Sequence, residues 1–389
     1  MRAAILAALC SPAVLGLVIQ DPNQIVIPQG AEVVPEGFSV NLEEMRLVQF
    51  EGESPVWISE LDKITAKAQG KKFFDVTDAP EFGNNLKSLE SKEFPAPNAT
   101  AQVKDVIRKL STDGPRENLK KFTSFRTRYY KSETGRQSQL WLLSKIKEVT
   151  AAWAPESLQE IISVEEFKHD WGQNSILVKI AGSNPSDEGA VIITAHQDST
   201  NMWPFLPAPG ADDDGSGTVT ILETYRALIA SNFTPTEDVW FHWYSAEEGG
   251  LLGSQAVAKD FAARGVKVKA QTQYDMTAYV KKGTREEIGI INDYVDPSLT
   301  KFVTKLVDKY LSIPYVETQC GYACSDHASW GKAGYRSSFA IESSFPNSNH
   351  YIHSSNDVID LPEFSFDHML EFSKLAVAFA IELAGWEET

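Results

Sequence analysis

Ala190-Val-Ile-Ile-Thr194 has almost no polar side, and no other stretch constrains the fold as tightly. A strand that is apolar throughout must be covered on both faces, as happens inside a parallel sheet with helices above and below. Val239-Trp-Phe-His-Trp-Tyr-Ser245 is a second such run, rich in aromatic and β-branched residues. Further strands are expected at 160–167, 175–180, 270–276, 287–291 and 336–341. Helical spacing recurs between them, at 101–110, 116–122, 135–149, 216–230, 251–264 and 297–311, with Leu140, Leu142, Leu143 and Ile146 marking the third of these. A last amphipathic helix spans 362–384, its core face formed by Met369, Phe372, Ala376, Phe379 and Leu383. Strands alternating with helices over about 300 residues predict one α/β domain, a mixed, largely parallel central sheet flanked by helices.

The residues ahead of that domain read differently. Met1-Arg2 and the apolar run to Val18 have the length of a signal peptide, taken as residues 1–19, and are too short to span a bilayer. Residues 20–88 are acidic, poor in strand patterns, and hold a short helical piece near Ser59 to Ala68. Lys71-Lys72 and Asn84-Asn85-Leu-Lys87 offer processing points. A removable propeptide is expected there, with residues 89–389 as the catalytic domain; the alternative is a small permanent N-terminal domain. A net charge of −17 speaks against nucleic acid and against an anionic membrane surface. A secreted, extracellular monomer is expected. Cys10 leaves with the signal, and Cys320 and Cys324 remain in a compartment that permits a disulfide, as a pair or as two free thiols. The sequons at Asn98 and Asn232 fit secretion.

The chemistry collects at strand ends. His196 follows the first apolar run directly, and Asp198 stands where it can orient the imidazole through the nitrogen left free by a metal. Asp212, Asp213 and Asp214 are consecutive within a glycine-rich loop that enters a helix. Three adjacent carboxylates repel one another unless a cation is present, and one carboxylate can bridge two cations. A solvated acidic loop, or Asp214 as a helix cap, are the plainer readings. Glu247 and Glu248 end the second run, Asp275 ends another strand, and His353 lies near the C-terminus. Two imidazoles and three carboxylates without thiolate suit catalytic zinc, and the five ligands His196, Asp213, Glu248, Asp275 and His353, with one carboxylate shared, would serve two ions. Glu247, adjacent to a ligand but not required as one, is then the general base. Of the other histidines, His242 and His327 are expected in the core or in structural roles, and His169 and His368 at the surface or in packing. His350 competes with His353 for the ligand position.

The strings VIITAHQDS, PGADDDGSG, YSAEEGGLLGSQ, QYDMT, CGYACSDHASW and IHSSND closely resemble those of secreted leucine-type aminopeptidases with two co-catalytic zinc ions, the fungal precursors above all. The resemblance covers about residues 90–385. It implies that Asp213 bridges the ions, that His196 and Asp275 complete one site, and that Glu248 and His353 complete the other. It further implies Glu247 as general base, Asp198 as brace, a Cys320–Cys324 disulfide framing the pocket, and Tyr322 near the scissile carbonyl. Met276, Ile291, Ile341 and Phe345 would line an apolar pocket for the first side chain. The expected activity is release of leucine and other large apolar residues from peptide or protein N-termini. Two alternatives share the fold: a glutaminyl cyclase with one zinc, and a metal-free, non-catalytic peptidase-like binding domain.

Overall fold

A computed structural model of the chain describes residues 34–81 and 93–386. The expected signal peptide, Cys10 and the expected 88/89 boundary lie outside the described residues. The N-terminal part contains β1 (Met45–Phe50), β2 (Val56–Ser59), α1 (Glu60–Ala68) and β3 (Phe73–Asp75). The strands form an antiparallel sheet in the order β2-β1-β3. The helix was legible because Ser59 caps it and Asp62 closes a capping box. The strands were not: in β1 the buried positions are Arg46 and Val48, so a charged residue hides the alternation, and β3 has three residues.

Next come α2 (Thr100–Ile107), α3 (Asp113–Phe122), α4 (Glu133–Trp153), α5 (Glu156–Gln159), β4 (Ile162–Phe167), β5 (Ser175–Ile180) and β6 (Ala190–His196). They are followed by α6 (Gly217–Ile229), β7 (Val239–Tyr244), α7 (Leu252–Ala263), β8 (Val268–Tyr274), β9 (Ile288–Ile291) and α8 (Pro297–Tyr310). The chain ends with β10 (Tyr315–Thr318), α9 (His327–Lys332), β11 (Ser337–Ile341) and α10 (Phe366–Ala384). Every strand and helix expected after residue 100 is present, with ends shifted by a few residues. The short edge strand β10, with no fully buried residue, escaped the periodicity.

The eight strands form one sheet in the order β10-β9-β11-β8-β6-β7-β5-β4. Its centre, β11-β8-β6-β7, is parallel, and antiparallel pairings add β5 and β4 on one side and β9 on the other. Strand β6 is buried along its whole length. Val191, Ile193 and Ala195 pack against the layer of α4, α6, α8 and α10, while Ile192 packs with α7 residues Val257 and Phe261 on the other face. Two-sided cover is what its composition demanded. Helix α10 is buried nearly all round between the sheet, α6, α8 and α2, beyond the single face its periodicity suggested. Leu140 is 42% exposed, outside the buried face of α4. Among the described residues, no helix is long and apolar enough to cross a membrane.

Because the four central strands run parallel, their carboxyl ends share one edge. There the chain places His196 at the end of β6, Ala246 to Gly250 after β7, and Asp275 after β8. This is the edge at which open α/β sheets bind ligands.

Candidate metal centre

All five expected ligands meet at this edge. His196 Nε2 lies 3.1 Å from Asp213 Oδ1 and 3.6 Å from Asp275 Oδ1. His353 Nε2 lies 3.0 Å from Asp213 Oδ2 and 3.1 Å from Glu248 Oε2. Asp213 therefore turns one oxygen toward each imidazole, with Asp275 beside the first and Glu248 beside the second. His196 is fully buried, and Asp213, Glu248 and Asp275 are nearly so. Glu247 lies against the same cluster, its Oε2 4.0 Å from His196 Nε2.

Each aspartate of the triplet has a separate task. Asp212 accepts hydrogen bonds from the Ala278 amide, the Ser216 hydroxyl and the Asn349 amide, and so ties down the loop. Asp214 accepts from the backbone N–H of His196 and of Met276 and, at the entrance to α6, of Gly217. Its distance from His196 and Asp275 would admit it to a cation cluster. With both oxygens already engaged by backbone donors, we read it as the anchor of the loop, close to the plain helix-cap role. That leaves Asp213 facing the cavity. Its peptide bond to Asp214 is cis. Gly217 is required by close approach: a Cβ there would lie 2.3 Å from both Asp214 Oδ1 and the Tyr274 carbonyl oxygen.

The supporting residues are buried as well. Asp198 Oδ1 lies 3.4 Å from His196 Nδ1, and the same carboxylate accepts from the backbone N–H of Glu247 (3.1 Å) and Glu248 (3.2 Å). One side chain thus positions a histidine and the turn bearing both glutamates. Sequence reasoning missed two further supports. Asp357 accepts from the amides of Asp212 and Asp213, both at 3.0 Å, and Ser325 donates to Asp275 Oδ2 at 2.6 Å. Both lie inside strings already singled out, IHSSND and CGYACSDHASW, so proximity to a ligand was the available signal. Ala246, Met276 and His353 adopt left-handed φ of 58°, 57° and 55°. Each is an expected ligand or flanks the carboxylate pair or an expected ligand, where strained backbone typically collects.

Electrostatics follow from packing these charges together out of water. Burial opposes a charge on His196, but Asp275, Glu247 and the bonds to Asp198 and Asp213 outweigh it and raise its pKa well above the usual value. Burial likewise opposes protonation of His353, yet Glu248 and Asp213 carry it up to about 9. Burial would raise Asp213, but both imidazoles hold it well below the carboxylate range. Glu247 is pushed well above that range, first by burial, then by Glu248, Asp326 and Asp275, with His196 opposing. Glu248 Oε1 and Asp275 Oδ1 are buried without a hydrogen-bond donor. Buried carboxylate oxygens left unpartnered beside so many other charges are costly in a protein alone and fit a cation.

A cavity of about 490 Å³ opens beside the cluster, lined by Met276, Tyr322, Phe339, Ile341, Phe345 and Ile352 together with Glu247 and Asp275. Ile291 belongs to the same apolar cluster but is fully buried behind this wall. Cys320 and Cys324 are disulfide-bonded, Cα atoms 6.2 Å apart, with Tyr322 between them. Burial and then the site carboxylates raise the Tyr322 pKa, so the phenol stays protonated. Lys67, Lys71, Lys72 and Phe73 of the N-terminal part also line this cavity. His350 is exposed, whereas His353 is in the cluster. His242 is buried and bonded to the Tyr244 hydroxyl, and His327 is buried against Phe339. Asn98 and Asn232 are both exposed.

Known proteins share this arrangement of chain. The profile of Peptidase family M28 matches residues 175–377. Leucine aminopeptidase 1 of Coccidioides posadasii (strain RMSCC 757 / Silveira) is 45% identical over 394 residues, covering 97% of this chain and 97% of that protein. The crystal structure of the Legionella pneumophila LapA aminopeptidase superposes with a TM-score of 0.77 at 30% identity, covering 88% of this chain and 99% of that one. LapB from the same bacterium gives 0.76 at 26% identity, covering 87% and 95%.

Proposed function

Because the chain belongs to peptidase family M28 and is a metal-dependent aminopeptidase, we propose that it removes leucine and other large apolar residues from peptide N-termini with two zinc ions. Asp213, His196 and Asp275 would hold one ion, and Asp213, Glu248 and His353 the other. The observation that carries this reading is the split of Asp213: Oδ1 lies 3.1 Å from one imidazole and Oδ2 3.0 Å from the other. A donor set of nitrogen and oxygen without thiolate supports zinc in a catalytic role. Zinc in such a pair supplies positive charge that acidifies water and polarises a carbonyl.

The chain's own groups do the rest. Glu247, free of ligand duty, accepts the proton of the attacking water and returns it to the departing amine. Tyr322, kept protonated, donates to the carbonyl oxygen as charge develops there. The apolar wall of Met276, Ile341 and Phe345, with Ile291 behind it, takes the first side chain and favours leucine. Residues 20–88 act as a removable propeptide: the described part walls the cavity with Lys67 to Phe73. With the expected signal at 1–19 and exposed sequons at Asn98 and Asn232, the protein is read as secreted and monomeric.

Substitution separates the two glutamates. Glu247→Gln is expected to retain metal and lose at least about 10²-fold in turnover of an aminoacyl chromogenic substrate. Asp213→Asn is expected to lose metal, measured by elemental analysis. If Glu247→Gln loses metal while Glu248→Gln keeps it, the roles are reversed. Full activity of metal-free protein ends the two-zinc reading.

A further inference from the structure

We propose that Lys67 competes with the metal ion at the Asp213–Glu248–His353 end of the site. A chain still carrying its N-terminal part would then hold that ion far more weakly than the one at His196 and Asp275. The inference rests on the two-ion reading above.

The geometry is specific. Lys67 Nζ donates to Glu248 Oε2 and, at 2.8 Å, to the Glu248 carbonyl oxygen. That same Oε2 lies 3.1 Å from His353 Nε2. An ammonium therefore already pairs with one of the carboxylate oxygens that the second cation would need. The other end differs: among the described residues, the ion pairs of His196 and Asp275 involve only each other and carboxylates. Glu248 Oε1 has no hydrogen-bond donor, so a metal ion can still reach one oxygen, and the outcome is weakened binding, not exclusion.

Lys67 is held in place by more than its own contact. One turn earlier in α1, Lys63 donates to the Gly249 carbonyl at 3.3 Å while Glu60 and Asp75, both at 2.9 Å, balance its charge. The Asp75 amide donates to the Gly250 carbonyl at 3.2 Å, and Gln255 Nε2 donates to the Asp75 carbonyl at 3.0 Å. Gly250, at φ +104°, admits this approach, since a Cβ there would lie 2.7 Å from the Asp75 nitrogen. The helix is thus fastened to the turn that carries the catalytic glutamates. To swing Lys67 away, the chain must break those bonds or be cut. Metal loading and release of the N-terminal part become linked, because the metal ion and Lys67 each weaken the other's hold on Glu248.

The test uses the full chain with its N-terminal part attached, titrated with zinc against a chromogenic chelator, with elemental analysis as a second readout. Wild type is expected to bind one zinc tightly and a second weakly. Lys67→Met and Lys67→Gln should tighten the second by about tenfold or more, as removal of a nearby like charge requires, and leave the first unchanged. Lys67→Arg should behave as wild type. Two equally tight ions in wild type, unchanged in the variants, would overturn the role of Lys67 and leave the two-zinc reading intact. A single ion in every protein would overturn both. Should the neutral variants fail to fold, the wild-type isotherm decides: two equal sites refute the proposal, and one strong and one weak site support it.

Discussion

Replacing Asp75 with asparagine should loosen the N-terminal part while leaving the catalytic domain folded. Asp75 is buried and accepts from Arg46 Nε at 2.8 Å, Lys63 Nζ at 2.9 Å and the Thr77 hydroxyl at 2.6 Å. Burial alone would raise its pKa, but Lys63 and Arg46 outweigh that and lower it from 3.8 to about 2. A carboxyl so depressed contributes about 2 kcal/mol above the unfolded pKa. The contribution is complete above about pH 4 and is lost as pH falls toward 2. Asparagine costs more, because it takes away the buried carboxylate that Arg46 and Lys63 share and leaves Lys63 with Glu60 alone and Arg46 with the more exposed Glu44 and Asp78; breaking such a buried pair typically costs about 3–5 kcal/mol. Amide exchange at pH 7 over Met45–Phe50 and Glu60–Ala68 should therefore speed up by at least about 10²-fold, with little change in β6 or α10. In acid titrations of stability, wild type should show the loss between about pH 4 and 2, and Asp75→Asn should lack it. Unchanged exchange at pH 7, or identical acid profiles, would refute the assignment of this carboxylate as the anchor.

Three further outcomes are expected. N-terminal sequencing of secreted, active protein should find a start after Glu81 and no later than Glu93, because Phe73–Asp75 is tied into a sheet and to Gly250 and resists a protease; active enzyme still beginning near residue 20 would sink the propeptide reading. Ile341→Trp, which fills the apolar wall, should lower the preference for leucine over alanine substrates by about tenfold or more in kcat/KM; an unchanged ratio would place the side-chain pocket elsewhere. Mass spectrometry without reduction should show no free thiol at Cys320 and Cys324. Their double serine variant should lose only about 2 kcal/mol or less of stability, the loop being short, while KM rises as the Tyr322 loop loosens.

Much of this protein could be read from its residues. Strands apolar on both faces, such as β6, leave few architectures open, and the titratable residues at the carboxyl ends of β6, β7 and β8, His196, Glu247, Glu248 and Asp275, had to fall on one edge once those strands ran parallel. His353 was separable from His350 only through the resemblance of its string, since periodicity says nothing about a loop. Within the Asp212–Asp214 triplet, composition suggested a cation beside the plainer readings of a solvated loop or a helix cap, but could not say which carboxylate turns toward the cavity. That depended on which backbone amides lay within reach, and these come from β6, α6 and the Met276 to Ala278 segment. The same holds for Asp198, whose contact with the Glu247 and Glu248 amides joins positions far apart in sequence. The N-terminal part was hardest to read. Its acidic composition and buried charges conceal a folded sheet, and nothing local to Lys67 marks it. A lysine on a helix is ordinarily solvated; only the docking of α1 over the Glu247–Gly250 turn brings its ammonium onto the Glu248 carboxylate. Strand and helix periodicity is a property of neighbours in sequence, whereas a charge is placed by whatever the finished fold packs against it.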